Sequence, residues 1–185
     1  MRILKSMRAP VIGLAAMTLI CGVVYTALVT GVGQALFGAK ANGSLITVTL
    51  KDGSTRTFGS ELIAQEFIAP QYMIGRPIAV SNLGPSSAAQ AKLVQARVDW
   101  WHAFDPTNTA PIPEDLVTAS GSGVAPYISS SAAEYQVARI AAARGMSPDD
   151  VRAVIARHTK PRFVGVLGEP GVNVLLVNLD LDGLI

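Results

Sequence analysis

The sequence is poor in the residues that most site chemistry needs. It has one cysteine, Cys21, and two histidines, His102 and His158. With the cysteine inside an apolar run, these three make no recognisable zinc set, and no disulfide can form within the chain. Whatever folds here is held by its core alone. No lysine lies between Lys92 and Lys160, so the middle of the chain lacks a phosphate loop of the glycine–lysine–serine/threonine kind. No charged residue lies between Arg8 and Lys40. That absence is the most informative of all.

Within the uncharged stretch, Val11–Gly33 supplies 23 residues that are almost wholly apolar. About 20 such residues cross a hydrocarbon core of about 30 Å at a rise of about 1.5 Å each. The stretch reads as a transmembrane helix over 11–33. A cleaved signal peptide is the rival reading, because Arg2, Lys5 and Arg8 form a positive start and Ala39-Lys40-Ala41 mimics a cleavage site. Signal cores run only about 7–15 residues, which favours an uncleaved anchor. Three basic residues precede the span and Lys40 alone closely follows it, so the positive-inside rule keeps residues 1–10 cytoplasmic. Residues 34–44 are then a linker, and residues 45–185 form a periplasmic domain on a single-pass inner-membrane protein.

The formal charge of +2 belongs to the anchor. Residues 1–40 hold four of the 15 basic residues and none of the 13 acidic ones, so the remainder carries 11 against 13, a net −2. An acidic domain is a poor match for nucleic acid, whose binding relies on clustered positive charge. Along the span, Thr18, Gly22, Thr26 and Thr30 recur at four-residue steps, a stripe of small residues along which another helix can pack. The span has no ionisable side chain and so offers no proton relay.

Beyond it, Leu45–Leu50 alternates and is rich in β-branched residues, 51–54 supplies a turn, and Thr55–Phe58 returns as a hairpin partner. The pattern predicts a short helix over 60–67 capped by Ser60, an extended stretch over 72–77 and a helix over 86–104. In that last helix Leu93, Val94, Arg97, Val98 and Trp101 share one stripe. A proline-rich loop spans 106–113. Ser131 and Glu134 read as a capping box for a helix that Gly145 stops, and Ser147-Pro148 starts another that closes near His158. Runs 163–167 and 172–181 read as strands. The whole is a transmembrane helix plus an exported α+β domain, with a mixed or antiparallel sheet and about four helices.

The loop 115–129 gathers Thr118, Ser120, Gly121, Ser122 and Gly123. It fits neither a dinucleotide fingerprint nor an esterase elbow, since the residue two before Ser122 is Ser120 rather than glycine. A serine nucleophile also needs a base. His102 follows two tryptophans on the apolar side of its helix, and His158 sits where a helix C-terminus favours a cation. Asp149 and Asp150 read as a helix-start pair, Asp180 and Asp182 as an exposed strand face. The loop is expected to be a tight turn or a partner contact, with no catalytic residue and no metal ligand. Bottom-up, the chain reads as a non-enzymatic domain anchored beside other membrane proteins; a solitary anchored binding module for a periplasmic ligand is the alternative.

Several ordered segments carry a resemblance across nearly the whole chain. They are Ala41–Ile46, Gly59–Gln65, Gly75-Arg-Pro77, Ser81–Ser86, Asp115–Gly123, Ile128-Ser129, Gln136–Arg144, Gly168-Glu-Pro170 and Val172–Leu175. Together with the anchor, the chain resembles the C subunit of the Kdp potassium-transporting ATPase, a bacterial high-affinity potassium uptake pump. The resemblance implies a non-catalytic subunit working with a pore-forming A subunit and a P-type ATPase B subunit, in the lipid bilayer. It implies no cofactor of the chain's own. ATP enters through the B subunit, whose affinity for ATP the family is described as raising. The chain lacks the Asp-Lys-Thr-Gly motif on which P-type pumps are phosphorylated. It departs from the family pattern at three places: it is shorter between Pro77 and Ser81, it has Ala125-Pro-Tyr127 where Asp-Pro-His is frequent, and it has Gly171 where arginine is common.

Overall fold

The computed structural model describes residues 2–80 and 82–185. Met1, Ser81 and the side chains of residues 2–6 lie outside the described residues. The chain divides into two units, 1–45 and 46–185.

The first unit is helical throughout. Helix α1 (Arg2–Met17) passes into a π-helical stretch (Thr18–Tyr25) and then into α2 (Thr26–Ala41). Among the described residues, Met7–Ala41 is the one helix long and apolar enough to cross a membrane. The Thr26 hydroxyl donates to the Cys21 carbonyl at 3.2 Å, five residues back, following the wider π winding. Phe37 has non-helical φ/ψ of −137° and 36°, which kinks α2. Helix therefore runs through most of the stretch read as linker. It stops where Asn42 caps it, its Nδ2 donating to the Gly38 carbonyl at 2.8 Å.

In the second unit, β1 (Leu45–Thr49) and β2 (Thr55–Ser60) pair as a hairpin. Its turn closes through Leu50 N–H to Ser54 O at 2.8 Å, with the Asp52 carboxylate accepting from Ser54. The helix expected over 60–67 is absent. Ser60 Oγ accepts from Leu62 N, but only a single turn forms, because Ala64 N–H turns away to the Val124 carbonyl at 2.9 Å.

Helix α3 (Ala88–Phe104) starts at Ser87, whose side chain accepts from Gln90 N. Then come α4 (Glu114–Val117), β3 (Tyr127–Ile128), α5 (Ser130–Tyr135), α6 (Val137–Arg144), α7 (Pro148–Arg157), β4 (Thr159–Lys160), β5 (Gly171–Asn173) and α8 (Val174–Leu181). The cap of α5 is Ser129, not Ser131. Asp115 accepts from both the backbone N and hydroxyl of Ser129, aiming that hydroxyl's lone pair at Ala132 N. The single helix expected over 131–144 breaks at Gln136, so α5 and α6 are separate. Gly145, at φ +64°, ends α6, and Ser147 with Pro148 starts α7, as the sequence predicts. The described domain thus has six helical segments where about four were expected.

The C-terminal run is the largest correction. Only Gly171–Asn173 is strand, the centre of an antiparallel sheet ordered β3–β5–β4, with Val172 opposite Ile128 on one side and Thr159 on the other. At Asn173 the side chain accepts from Leu176 N and the chain turns helical. Val174, Leu175, Val177, Asn178 and Leu179 are all buried, so α8 is covered on most sides and shows no helical period to read. Asp180 and Asp182 accordingly lie on a helix end and not on a strand face. The other expected strand, 163–167, is a tight turn closed by Phe163 N–H to Leu167 O at 2.8 Å.

One segment positions everything that follows. Residues 70–76 form no strand, yet every carbonyl from Pro70 to Ile74 accepts from a side chain. Arg139 Nη1 donates to Pro70 O and Tyr72 O, and Arg144 Nε to Gln71 O. Asn178 Nδ2 donates to Met73 O and Gln136 Nε2 to Ile74 O. The same two amides return the pairing, accepting from Met73 N at 2.7 Å and Ile74 N at 2.8 Å. Met73, Gln136 and Asn178 are buried, where unmade backbone bonds would be costly. Arg139 is buried as well, and burial lowers its pKa to about 10 against the opposing pull of Asp105. Gln136 and side chains of α6 and α8 thus replace the neighbouring strand that 70–76 lacks.

Candidate functional site

Arg76 emerges directly from this clamped segment. Its Nε donates to the Thr118 carbonyl at 3.3 Å and its Nη2 to Thr118 Oγ1 at 3.2 Å. Arg97 arrives from α3 and donates from Nη1 to the Val117 carbonyl at 2.8 Å. Both guanidiniums are half-buried and held by neighbouring residues of one segment. The hydroxyl-rich loop begins there. Thr118 Oγ1 donates to Glu114 O, Ser120 Oγ accepts from Ala125 N, and Ser122 Oγ accepts from Val124 N. Gly123 N–H closes the turn onto Ser120 O at 3.0 Å.

Gly123 is required by two independent facts. Its φ is +73°, and a Cβ there would lie 2.5 Å from Val80 Cγ2 and 2.9 Å from Ala79 O. The loop is therefore seated on Ala79–Val80.

Two cavities flank the arginines, and both arginines line each of them. One, of about 430 Å³, is polar and includes Gln90, Glu114, Thr118, Ser120 and Gly121. The other, of about 410 Å³, is mostly apolar and includes Ile68, Leu93 and Trp100. Trp100 is 41% exposed, whereas its neighbour Trp101 is buried, with its Nε1 donating to Leu116 O at 3.1 Å.

The predicted loop residues 118–123 do converge, but on structure. Ser120 and Ser122 hydroxyls meet each other at 3.3 Å and otherwise accept from loop backbone. His102 is exposed on α3 rather than on its apolar side. His158 caps α7, and its Nε2 lies 2.7 Å from Asp180 Oδ2, which also receives Arg157. Among the described residues no group of three or more His, Cys, Asp and Glu is arranged for a metal ion. Sequence reading missed Arg76 and Arg97, which lie 42 and 20 residues from their partners. The available signal was Arg97 itself, a charge on the inward stripe of α3.

In the N-terminal helix, a Cβ on Gly22 would lie 3.9 Å from Thr18 Cγ2, so these two residues share a face. Four residues overshoot an α-helical turn by about 40° and so drift around the helix. In π winding four residues fall short of a turn, and the π stretch offsets the drift of the Thr18–Thr30 row.

Comparison with known proteins adds the decisive fact. The family described as "K+-transporting ATPase, c chain" (KdpC) matches residues 7–183. The chain belongs to the KdpC family. A Potassium-transporting ATPase KdpC subunit from Listeria welshimeri is 50% identical over 186 residues, covering 99% of this chain and 98% of the relative. Subunits of the same name from Sorangium cellulosum and Methylibium petroleiphilum are 48% and 49% identical, covering 97% and 96% of this chain and 98% and 96% of theirs. A KdpC-family chain is a subunit of a potassium-transporting ATPase complex, and the membrane-length helix of this one fits that setting.

Proposed function

We propose that this chain is the non-catalytic accessory subunit of a high-affinity, ATP-driven potassium uptake pump, stabilising the complex and supporting ATP use by its P-type subunit. The observation that carries the reading is the family match over 7–183, with an apolar helix at its start. The N-terminus lies in the cytoplasm and the domain outside the inner membrane, as the Arg2, Lys5 and Arg8 flank dictates. The helix packs through Thr18, Gly22, Thr26 and Thr30 against helices of its partners, a pore-forming A subunit and a P-type B subunit. The loop 118–123 serves fold and contact, since its hydroxyls are committed to one another and to the backbone.

An exported domain cannot touch cytoplasmic ATP. Its effect on ATP affinity is therefore exerted at a distance, by binding one pump conformation more tightly than another. Tagged, full-length chain co-expressed with the A and B subunits should recover both in detergent, and an alkaline phosphatase fused after Ile185 should be active. Purification of the chain alone would overturn the subunit assignment; an inactive fusion would overturn the topology.

A further inference from the structure

We propose that the cleft at Arg76, Arg97 and Trp100 docks an acidic–apolar segment of another polypeptide of the pump. A carboxylate of that segment bridges the two guanidiniums, and the apolar side chain beside it covers Trp100. The inference rests on the subunit reading above and adds the surface used and the chemistry of what it takes.

Charge is the first argument. Arg144, Arg152, Arg157 and Arg162 each lie between 2.6 and 3.0 Å from a carboxylate. Among the described residues Arg139 lacks a carboxylate within ion-pair distance but is spent on the 70–76 clamp, and Arg56 lies over the Phe58 ring. Arg76 and Arg97 likewise have no such partner there, and donate only to the neutral oxygens of Val117 and Thr118 beside two open cavities. A guanidinium has five N–H donors, so several on each remain to be used. Glu66 lines the apolar cavity and Glu114 the polar one, but neither forms an ion pair with these arginines. Two like charges fixed to adjacent residues of one segment repel. An incoming carboxylate relieves that repulsion and matches the planar fork of each guanidinium.

Preorganisation is the second. Both side chains are already held by backbone carbonyls, and Trp100 is stacked on Phe104 with ring centroids 4.6 Å apart. Little side-chain freedom remains to be lost on docking. Buried arginine and tryptophan anchors are the residue types that dominate interface energetics.

The apolar wall is the third, and it selects the occupant. Ile68 is 70% exposed and Leu93 39%, in the cavity that both arginines also line. An inorganic anion would neutralise the arginines and leave this wall wet. An acid covalently joined to an apolar group covers both. The chain belongs to a family defined as one chain of a multi-chain ATPase, so polypeptide is the material at hand.

The test uses the intact solubilised pump with a photoreactive benzoylphenylalanine in place of Leu93, which leaves Trp100 in position. The cross-linked peptide is mapped by mass spectrometry. It should come from another pump chain and hold an Asp or Glu within about two residues of the cross-link, the reach of adjacent side chains on an extended segment. Arg97→Gln, or amidation of that acid, should each lower the yield by about tenfold or more, and the double change should add little further. Reversing both charges, Arg97→Glu with Lys at the partner position, should restore cross-linking, which a misfolded variant could not do. Arg162→Gln, at an exposed ion pair, is the control. Cross-linking to lipid, to a segment without an acid, or to nothing overturns the proposal, as does a smaller drop or failed reversal. If the chain does not recover its partners at all, the subunit reading fails instead, so the two failures are distinct.

Discussion

Asn178→Leu isolates the energetics of the clamp on residues 70–76. Asn178 and Met73 are 1% and 0% exposed, and the amide exchanges two hydrogen bonds with the Met73 backbone, at 2.7 and 2.9 Å. Leucine has similar volume, so the change opens little space. What it removes is the partner of both a buried N–H and a buried C=O. Each orphaned group costs about 1–3 kcal/mol, offset in part because the buried amide itself is gone, for a net loss of about 3 kcal/mol. In a chain of this size 1 kcal/mol moves Tm by about 2–4 °C, which predicts a fall of about 6–12 °C. Near-UV circular dichroism of the solubilised full-length chain reads this melt through buried Trp101. Asn178→Asp should be worse, because it sets a carboxylate oxygen against the Met73 carbonyl in a dry site. Glu169→Gln, at the exposed pair with Arg162, should change stability by less than about 0.5 kcal/mol. A melt within about 2 °C of the parent for Asn178→Leu would refute the accounting.

Three further outcomes are expected. Gly22→Leu should weaken recovery of the pump by about 1–2 kcal/mol through loss of close helix packing, while Leu14→Ile should not; equal recovery removes the packing role. Asp180 has its pKa lowered chiefly by Arg157, with His158 adding to the effect and burial opposing it. A depressed carboxylate stabilises above its unfolded pKa and loses that contribution as pH falls through the folded one, so Asp180→Asn should flatten the stability curve below about pH 4 and lower the plateau above it. Mg-ATP titrated calorimetrically into the solubilised chain should give no micromolar binding, since the loop hydroxyls are already engaged; binding lost on Arg97→Gln would restore a phosphate role for the cleft.

The sequence declared its elements best where one signal stood alone. The N-terminal apolar helix, the hairpin 45–60, α3 and α7 all had composition, periodicity or caps that nothing else opposed. It misled where tertiary partners decided. Ser60 had the chemistry of a cap, but Val124 offered Ala64 a better bond than the next helical turn did. Val172–Leu181 alternated like a strand because a helix buried on most sides needs no polar face. Its one informative residue was Asn178, an amide in the middle of an apolar run, whose purpose is visible only once Met73 lies against it. The split at Gln136 has the same origin, since that side chain binds both the N–H and the C=O of Ile74.

The candidate site follows the same logic. Its hydroxyls were legible because they are contiguous, whereas its charges were not, because they arrive from α3 and from a clamped segment with no regular structure. Two glycines mark close approaches of the chain. A Cβ on Gly171 would lie 3.2 Å from Tyr127 Cβ and 3.3 Å from its ring, so a larger residue at 171 would press on β3. Gly123 likewise presses on Ala79–Val80. Held by Val117 and Thr118 with no carboxylate partner among the described residues, Arg76 and Arg97 keep their charge for use outside the domain under the docking proposal, and the Arg97→Glu reversal tests that step.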